Sequence, residues 1–514
     1  EPPSDSHPAV PPPPEPARRR RLLAATAAAL LLALITAAVW WRNGFPAPAG
    51  GRALIAVLPF ENLSQDPGQE YFSDGLTDEL IARLGGLDPD RLGVIARTSA
   101  MQYKHTTKRA DQIGAELGVQ YLLESSVRRW RERVRINVRL VQVADQTPLW
   151  SRSFEGDLRE VLALQKQVAQ AVAEDTRIRL SAAARQAGRG PAVHPGAYEE
   201  TLKGRYAWSR RTLAGLREAQ THFEAAIGQD PTYAPAHTGL ADTYSLMSFY
   251  GGLPPREVFP RAQSAAGRAL ELDPGSAEAH TSLAYVAHRY AWDWPAAERS
   301  YRRALELNPS YATARHWYAE YLMVRGRLAE AGREMQQARQ LDPLSPRITL
   351  DVGLPDYFAG RYDRAAEAAR RVAELHPTFA PAHIALQQAL ERQGRYPDAV
   401  AALRQAAAAL GADLAPVQEV ERALAREGKD GYWAALLRLA ERGWPAAVSP
   451  SHRANMYAAR GEGQRALEWL ERAYADRDDE LVWAGVEPWY ETLRPDPRFG
   501  DLLARLGLRE GASR

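Results

Sequence analysis

The chain has 514 residues, with 65 Lys and Arg, 63 Asp and Glu and no cysteine. The lack of cysteine excludes disulfides, thiol nucleophiles and cysteine-bound metals. A net charge of +2 is too balanced for a chain that binds nucleic acid over its whole surface. A hydrophobic content of 45% excludes wholesale disorder. The first residue is Glu1 rather than Met, so we expect further sequence upstream.

The N-terminal region predicts a linker followed by a membrane anchor. Residues 1–21 are rich in proline and end in four arginines, which favours an extended cytoplasmic linker. Leu22 to Trp41 is an uncharged, mostly apolar segment, long enough as a helix to cross the roughly 30 Å hydrocarbon core of a bilayer. The arginines before it predict a cytoplasmic N-terminus, with the chain after about residue 43 on the other side. A cleaved signal peptide and a buried core helix are the alternatives.

Residues 52–185 predict a small α/β domain. Ala53 to Phe60 is a continuous apolar run, typical of a strand buried on both faces. Residues 133–143 alternate apolar and polar side chains, which predicts a strand with one buried face. Hydrophobic spacing predicts the remaining elements: strands at 92–96, 121–128 and 149–154, and helices at 71–84, 110–117 and 158–180.

We find no catalytic, cofactor or metal site in the sequence. Asp74 and Glu79 could form a carboxylate pair. The simpler interpretation is that acidic side chains in the first turn of a helix are stabilised by the helix dipole. We therefore expect Ser73 or Asp74 to cap the helix. The sequence has no phosphate-binding glycine loop and no HExxH zinc motif.

Two motifs of this domain carry a family resemblance. The stretches IAVLPFENLS at 55–64 and YFSDGLTDEL at 71–80 resemble the TolB-like module found in the outer halves of bacterial membrane signalling proteins. Ser125 departs from the glycine usual in that family, which puts the local turn geometry in question. The resemblance implies an inner-membrane protein whose residues after about 43 are periplasmic.

Internal repeats follow from about residue 195 to 480. A proline after Asp, Asn or His recurs at gaps of 43, 35, 34 and 34 residues, at Pro231, Pro274, Pro309, Pro343 and Pro377. This period resembles the tetratricopeptide repeat, a helix pair that stacks into an all-α superhelix. We expect about eight helix pairs, nine extra residues near 248–255, and a capping segment at 481–514.

The first helices of such repeats line a concave groove that binds proteins or peptides. His288 and His316 suggest the further hypothesis of a pH-sensitive groove. His237, His280 and His383 recur as Ala-His pairs near helix starts and are interpreted as packing residues. The repeat phase predicts these groove residues: Tyr285, His288, His316, Glu320, Leu354, Tyr357, Gln388 and Arg392.

The predicted architecture is thus a single transmembrane helix, a small TolB-like α/β domain and a tetratricopeptide-repeat superhelix. The resemblance implies the signal-sensing half of a CadC-like or ToxR-like transcription regulator that binds DNA only through an upstream domain. The same outer half also occurs with a serine/threonine kinase or a class III adenylate cyclase, and a stand-alone anchored adaptor is the third alternative. The partners expected are a protein or peptide, the bilayer through Leu22 to Trp41, and a second copy during signalling.

Overall fold

The computed structural model describes residues 52–64, 66–88, 91–175, 193–251, 253–445 and 448–508. The predicted linker and transmembrane helix lie outside these ranges. Within them, no helix combines the length and the apolar character needed to cross a membrane.

A mixed sheet forms the first part of the described chain. Its strands run in the order β3-β1-β4-β5-β6, with β2 beside β4. β1 is parallel to β3 and β4, whereas β4, β5 and β6 form an antiparallel meander. The apolar run at the start explains the central place of β1, because Ile55, Ala56 and Val57 are fully buried. The strands are Ala53–Val57 (β1), Glu61–Asn62 (β2), Leu92–Val94 (β3), Tyr121–Trp130 (β4), Arg133–Gln142 (β5) and Thr147–Asp157 (β6).

Two long helices cover one face of this sheet. The alternation predicted for β5 is present, because Val134, Ile136, Val138 and Leu140 are buried. They share one apolar core with residues of α1 and α4. The domain's helices are Glu70–Gly85 (α1), Arg97–Ala100 (α2), Ala110–Leu117 (α3) and Val161–Asp175 (α4).

Two local expectations in this domain are wrong. α1 begins at Glu70, so Ser73 and Asp74 lie inside the helix rather than at its cap. The Ser73 hydroxyl donates to the Glu70 carbonyl, and the Asp74 carboxylate pairs with Lys104 at 2.7 Å. Ser125 pairs with Val138 in the middle of the β4–β5 ladder. The chain makes no turn at this position, so the backbone does not require a glycine there.

The remaining described residues form eight helix pairs and a C-terminal segment. The fifth pair has a broken first helix, and the two helices of the seventh pair join within α18 at Gly428, where the backbone is non-helical with φ of 61°. The helices are Pro195–Ser209 (α5), Leu213–Gln229 (α6), Ala234–Gly251 (α7), Pro255–Leu272 (α8), Ala277–Val286 (α9), Trp294–Leu307 (α10), Ala312–Val324 (α11), Leu328–Leu341 (α12), Pro346–Asp351 (α13), Leu354–Phe358 (α14), Tyr362–Leu375 (α15), Ala380–Arg392 (α16), Tyr396–Ala409 (α17), Ala415–Glu441 (α18), Pro450–Ala459 (α19) and Gly463–Asp476 (α20).

Recurrent side chains secure the turns between repeats. The Nε2 atoms of His237, His280 and His383 bond to the carbonyls of the marker prolines six residues earlier, at 3.0, 3.1 and 2.9 Å. Arg315 makes the equivalent bond to the Pro309 carbonyl at 2.8 Å. The Ala-His pairs are therefore packing residues that satisfy a turn carbonyl, as the sequence indicated.

The C-terminal segment, residues 479–508, consists of 3₁₀ turns at Asp479–Gly485 and Pro488–Leu493 and helix α21, Pro497–Arg505. Its apolar side chains join the same core cluster as the third and fourth helix pairs. The indole of Trp294 donates to the Leu506 carbonyl at 2.7 Å, and Arg325 donates to the Gly507 carbonyl at 2.8 Å. The segment therefore packs back onto the middle of the array rather than extending beyond the last repeat.

Candidate protein-interaction site

The C-terminal segment covers the concave surface that the repeats create. Trp483 stacks on Phe358 at the end of α14, with ring centroids 4.9 Å apart. The guanidinium of Arg392 lies over the ring of Trp489, with the Cζ atom 4.2 Å from the ring centre. Trp489 also makes an edge contact with Trp433 of the seventh helix pair.

None of the predicted groove residues is fully exposed, and the chain's own C-terminal residues contact part of the surface on which they lie. Repeat periodicity predicts which helix face is concave, and it contains no information about a later segment folding onto that face. Tyr285, His288, His316, Glu320 and Tyr357 are buried, and Leu354, Gln388 and Arg392 are half-buried.

Five charged or ionisable side chains meet beneath this segment, and we call them the interior charge cluster: Arg289, His316, Glu320, Arg347 and Asp351. Nε2 of His316 lies 2.7 Å from Asp351 and 3.4 Å from Glu320. Arg347 pairs with Asp351 at 2.7 Å, and Arg289 pairs with Glu320 at 3.2 Å. Arg289 also donates to the Asp479 carbonyl at 3.3 Å, which ties the cluster to the C-terminal segment.

Two guanidiniums face the two carboxylates of the cluster, and the Glu480 carboxylate of the C-terminal segment lies a further 3.9 Å from Arg289. Burial alone would raise the pKa of Asp351, but Arg347 and His316 outweigh that effect and hold the pKa below its ordinary value. Donor atoms of His316, Glu320 and Asp351 lie within 4.8 Å of one another, a spacing that a metal ion could use. The donor atoms are already engaged with one another and with Arg289 and Arg347, and a dication would be repelled by those two guanidiniums. The donors therefore fit an ion-pair network better than a metal centre.

His288 does not support the hypothesis of a pH-sensitive groove. It is fully buried, and its ring is surrounded by those of Trp294, Tyr301 and Tyr321. Burial lowers its pKa well below the ordinary value, so the ring is uncharged at neutral pH. His288 thus acts as a packing residue, while His316 belongs to the interior charge cluster.

Helix α1 docks the sheet domain on the first repeat. The hydroxyl of Tyr198 donates to Glu79 at 2.7 Å, and Gln165 of α4 donates to the same carboxylate oxygen. Gly75 allows the close approach, because a Cβ there would lie 2.6 Å from Leu202. Glu79 is therefore an interdomain acceptor, a role that the sequence did not indicate.

Helix α2 docks the same domain on the middle repeats. The Ser99 hydroxyl donates to Asp342 at 2.5 Å, and the Ala96 amide donates to the Leu341 carbonyl at 2.7 Å. Asp342 is the acidic residue before a marker proline. The repeat turn therefore also serves as an interdomain contact, which the 34-residue period alone could not predict.

Comparisons with known proteins agree with this two-part architecture. Residues 51–171 match the family described as HilA/YgeH-like transcriptional regulator, second domain. Residues 287–346 and 356–414 match the tetratricopeptide repeat. The chain therefore contains a HilA/YgeH-like regulator domain followed by tetratricopeptide repeats.

One relative is named for a different activity. Over 244 residues, or 46% of this chain, the sequence is 33% identical to a Rhizobium meliloti (strain 1021) protein named "Putative adenylate cyclase 3". The match spans 41% of that protein's length.

Solved structures resemble parts of the chain. Pseudomonas aeruginosa PilF is 22% identical with a TM-score of 0.31, and the match covers 44% of this chain and 98% of PilF. A thermophilic tetratricopeptide-repeat protein of Thermus thermophilus is 19% identical with a TM-score of 0.31, covering 39% of this chain and 99% of that protein.

Proposed function

We propose that this chain is the signal-sensing, protein-interacting half of a bacterial membrane-anchored transcription regulator. The observation that carries the proposal is the regulator-like domain at 51–171, which is docked through α1 and α2 onto a tetratricopeptide array. DNA binding would reside in a domain upstream of Glu1. The apolar stretch from Leu22 to Trp41 would anchor the protein, with the later residues in the periplasm.

Protein binding is the role common to tetratricopeptide arrays. In this chain, a partner that uses the concave surface must compete with the C-terminal segment, since Trp483 and Trp489 already occupy it. Signal transfer through one helix per chain would require a homodimer or a changed dimer geometry.

A second candidate output is cyclic nucleotide synthesis. It is favoured by the 33% identity to the Rhizobium meliloti protein, whose name gives an adenylate cyclase. No catalytic constellation for that reaction is present among the residues that the structure describes, so the activity would also belong to an upstream domain.

One experiment separates the two outputs. The complete gene product is expressed in a host that lacks adenylate cyclase, and both cyclic AMP and genome-wide DNA occupancy are measured. Sequence-specific occupancy without cyclic AMP supports the regulator. Cyclic AMP without occupancy overturns the regulator in favour of the cyclase, and the absence of both overturns both in favour of an anchored adaptor.

A further inference from the structure

The turns that join successive helix pairs form a ridge along one side of the repeat array. We call it the repeat-turn row and define it as residues 307–310, 341–344, 375–378 and 410–413, at the C-terminal ends of α10, α12, α15 and α17. The first three turns contain the marker prolines Pro309, Pro343 and Pro377. Because consecutive helix pairs stack on one another, these turns lie side by side in the order of the sequence.

The sheet domain covers the first two turns of this row. The Val94 amide donates to the Ser310 hydroxyl at 3.3 Å, and the Ala96 amide donates to the Leu341 carbonyl at 2.7 Å. Leu341 and the neighbouring Asp342 are each only 4% exposed as a result. This part of the repeat-turn row is therefore an interface that the fold already uses.

At the next two turns the same type of side chain is exposed. Leu375 takes in the fifth helix pair the place that Leu341 has in the fourth, two residues before the marker proline, yet it is 68% exposed. Leu410 directly follows α17 and is 48% exposed. Leu375 is the most exposed large apolar side chain in the part of the chain that the structure describes. The row thus continues beyond the sheet domain as an apolar surface, in line with an established interface.

The charges beside these leucines are of both signs. Arg371, one helical turn before Leu375, pairs with Glu367 at 2.8 Å. Arg404 of α17 pairs with Glu421. A surface that meets its own copy across a two-fold axis must be complementary to itself, and a patch of one charge sign would repel its copy. Leucines flanked by balanced ion pairs therefore suit a second copy of this chain better than a strongly acidic or strongly basic partner.

We propose that Leu375 and Leu410 form an interface between two copies of this chain, in which the exposed part of the repeat-turn row packs against its own counterpart. The proposal rests on the membrane anchor of the proposed function. Two leucines and their neighbours form a small patch beside the roughly 800 Å² that each partner buries in a standard stable complex. Anchoring in one bilayer raises the effective concentration of the two copies, so a small patch suffices there. The contact would join the copies through their repeat arrays and leave each regulator-like domain docked on its own chain.

Disulfide cross-linking of the complete chain tests this interface, because the chain has no cysteine of its own. Leu375→Cys, Leu410→Cys and a mixture of the two are reconstituted in vesicles of phosphatidylethanolamine and phosphatidylglycerol and oxidised with copper phenanthroline. A disulfide requires Cα atoms within about 7 Å of each other, so its formation reports direct contact. We expect at least one of the three samples to cross-link about tenfold faster than Glu271→Cys, since a held pair reacts at a higher effective concentration. Glu271 is the matched control, because its side chain is 67% exposed at the C-terminal end of α8 in the second helix pair.

A charge placed in the interface should abolish the fast reaction. Leu410→Glu in the Leu375→Cys chain, and Leu375→Glu in the Leu410→Cys chain, should return the rate to that of the control, because burying an unpaired carboxylate is costly. That result supports the proposal. Rates no faster than that of Glu271→Cys in all three samples overturn it, and so do fast rates that the Glu substitutions leave unchanged. Flotation of the vesicles reports the anchor separately: a chain that does not float with the lipid contradicts the proposed anchor, while the comparison of rates still decides the contact.

Discussion

Phe358 and Trp483 stack face to face, with their ring planes 13° from parallel, although 125 positions separate them along the chain. Phe358 ends α14 in the fifth repeat, and Trp483 belongs to the C-terminal segment. This contact closes the concave surface of the array over the interior charge cluster. A change that weakens the packing of the C-terminal segment should therefore also make the concave surface more accessible.

Replacing Trp483 with Ala should loosen the C-terminal segment. The change removes the stacking on Phe358 and the contact with Arg289, whose Cζ is 5.6 Å from the ring centre. We expect the free energy of unfolding to fall by about 2–4 kcal/mol, as for a large aromatic residue that is not fully enclosed. Denaturant titration and hydrogen exchange of residues 479–508 measure the effect. Trp130→Ala is the control: that ring is 38% exposed, and its loss should cost much less.

Replacing Arg289 with Met should be strongly destabilising, because the buried Glu320 carboxylate loses its closest ion-pair partner and keeps only Arg347, at 4.0 Å, and His316. The expected loss is about 3–5 kcal/mol, measured as a shift in the denaturation midpoint. Adding Glu320→Gln should recover part of that loss, since the uncompensated charge is then removed. Arg303→Ala removes an exposed pair with Glu306 and should change stability by less than about 1 kcal/mol. An equal loss for Arg289→Met and Arg303→Ala would refute a special role for the cluster.

Replacing Gly75 with Ala should weaken the docking of the sheet domain on α5. The added methyl group would lie 2.6 Å from the buried Leu202 side chain. Overpacking of this kind costs about 1–3 kcal/mol, which thermal unfolding would detect. Gly267→Ala in α8 is the control, because nothing lies within 4 Å of the position that its Cβ would take, and alanine favours a helix by up to about 1 kcal/mol. A neutral or stabilising Gly75→Ala would contradict the close approach.

Glu391 should make the protein less stable as the pH rises. Burial raises its pKa to about 7, even though Tyr432 and Gln387 donate hydrogen bonds to it. A raised folded-state pKa contributes stability below the unfolded value near 4.5, and this contribution is lost as the pH rises through about 7. Glu391→Gln should therefore be more stable than the unsubstituted chain at pH 8, by roughly 3 kcal/mol, and nearly equal to it at pH 4.5. Thermal midpoints across this range test the difference, with the exposed Glu374→Gln as the control.

Much of the local structure follows from the sequence. The helix predicted at 110–117 has the observed bounds, because Gly118 adopts φ of 68° and ends it. The alternation of residues 133–143 predicts the buried face of β5, since side chains alternate across a strand. The repeat period predicts helix pairs because it recurs in local hydrophobic spacing and in the marker prolines. Each of these features depends on residues close together in the chain.

The contacts between distant elements could be identified only from the tertiary structure. The sequence indicates that Glu79 lies on a helix, but only the docking of α1 on α5 makes it an acceptor for Tyr198. Repeat phase places Glu320 on the concave side, but only the return of residues 479–508 brings the Asp479 carbonyl to its partner Arg289. The physical reason is that periodicity reports a residue's neighbours within its own helix. Burial of a charge or an aromatic ring depends on segments more than a hundred residues away, whose approach no local pattern records.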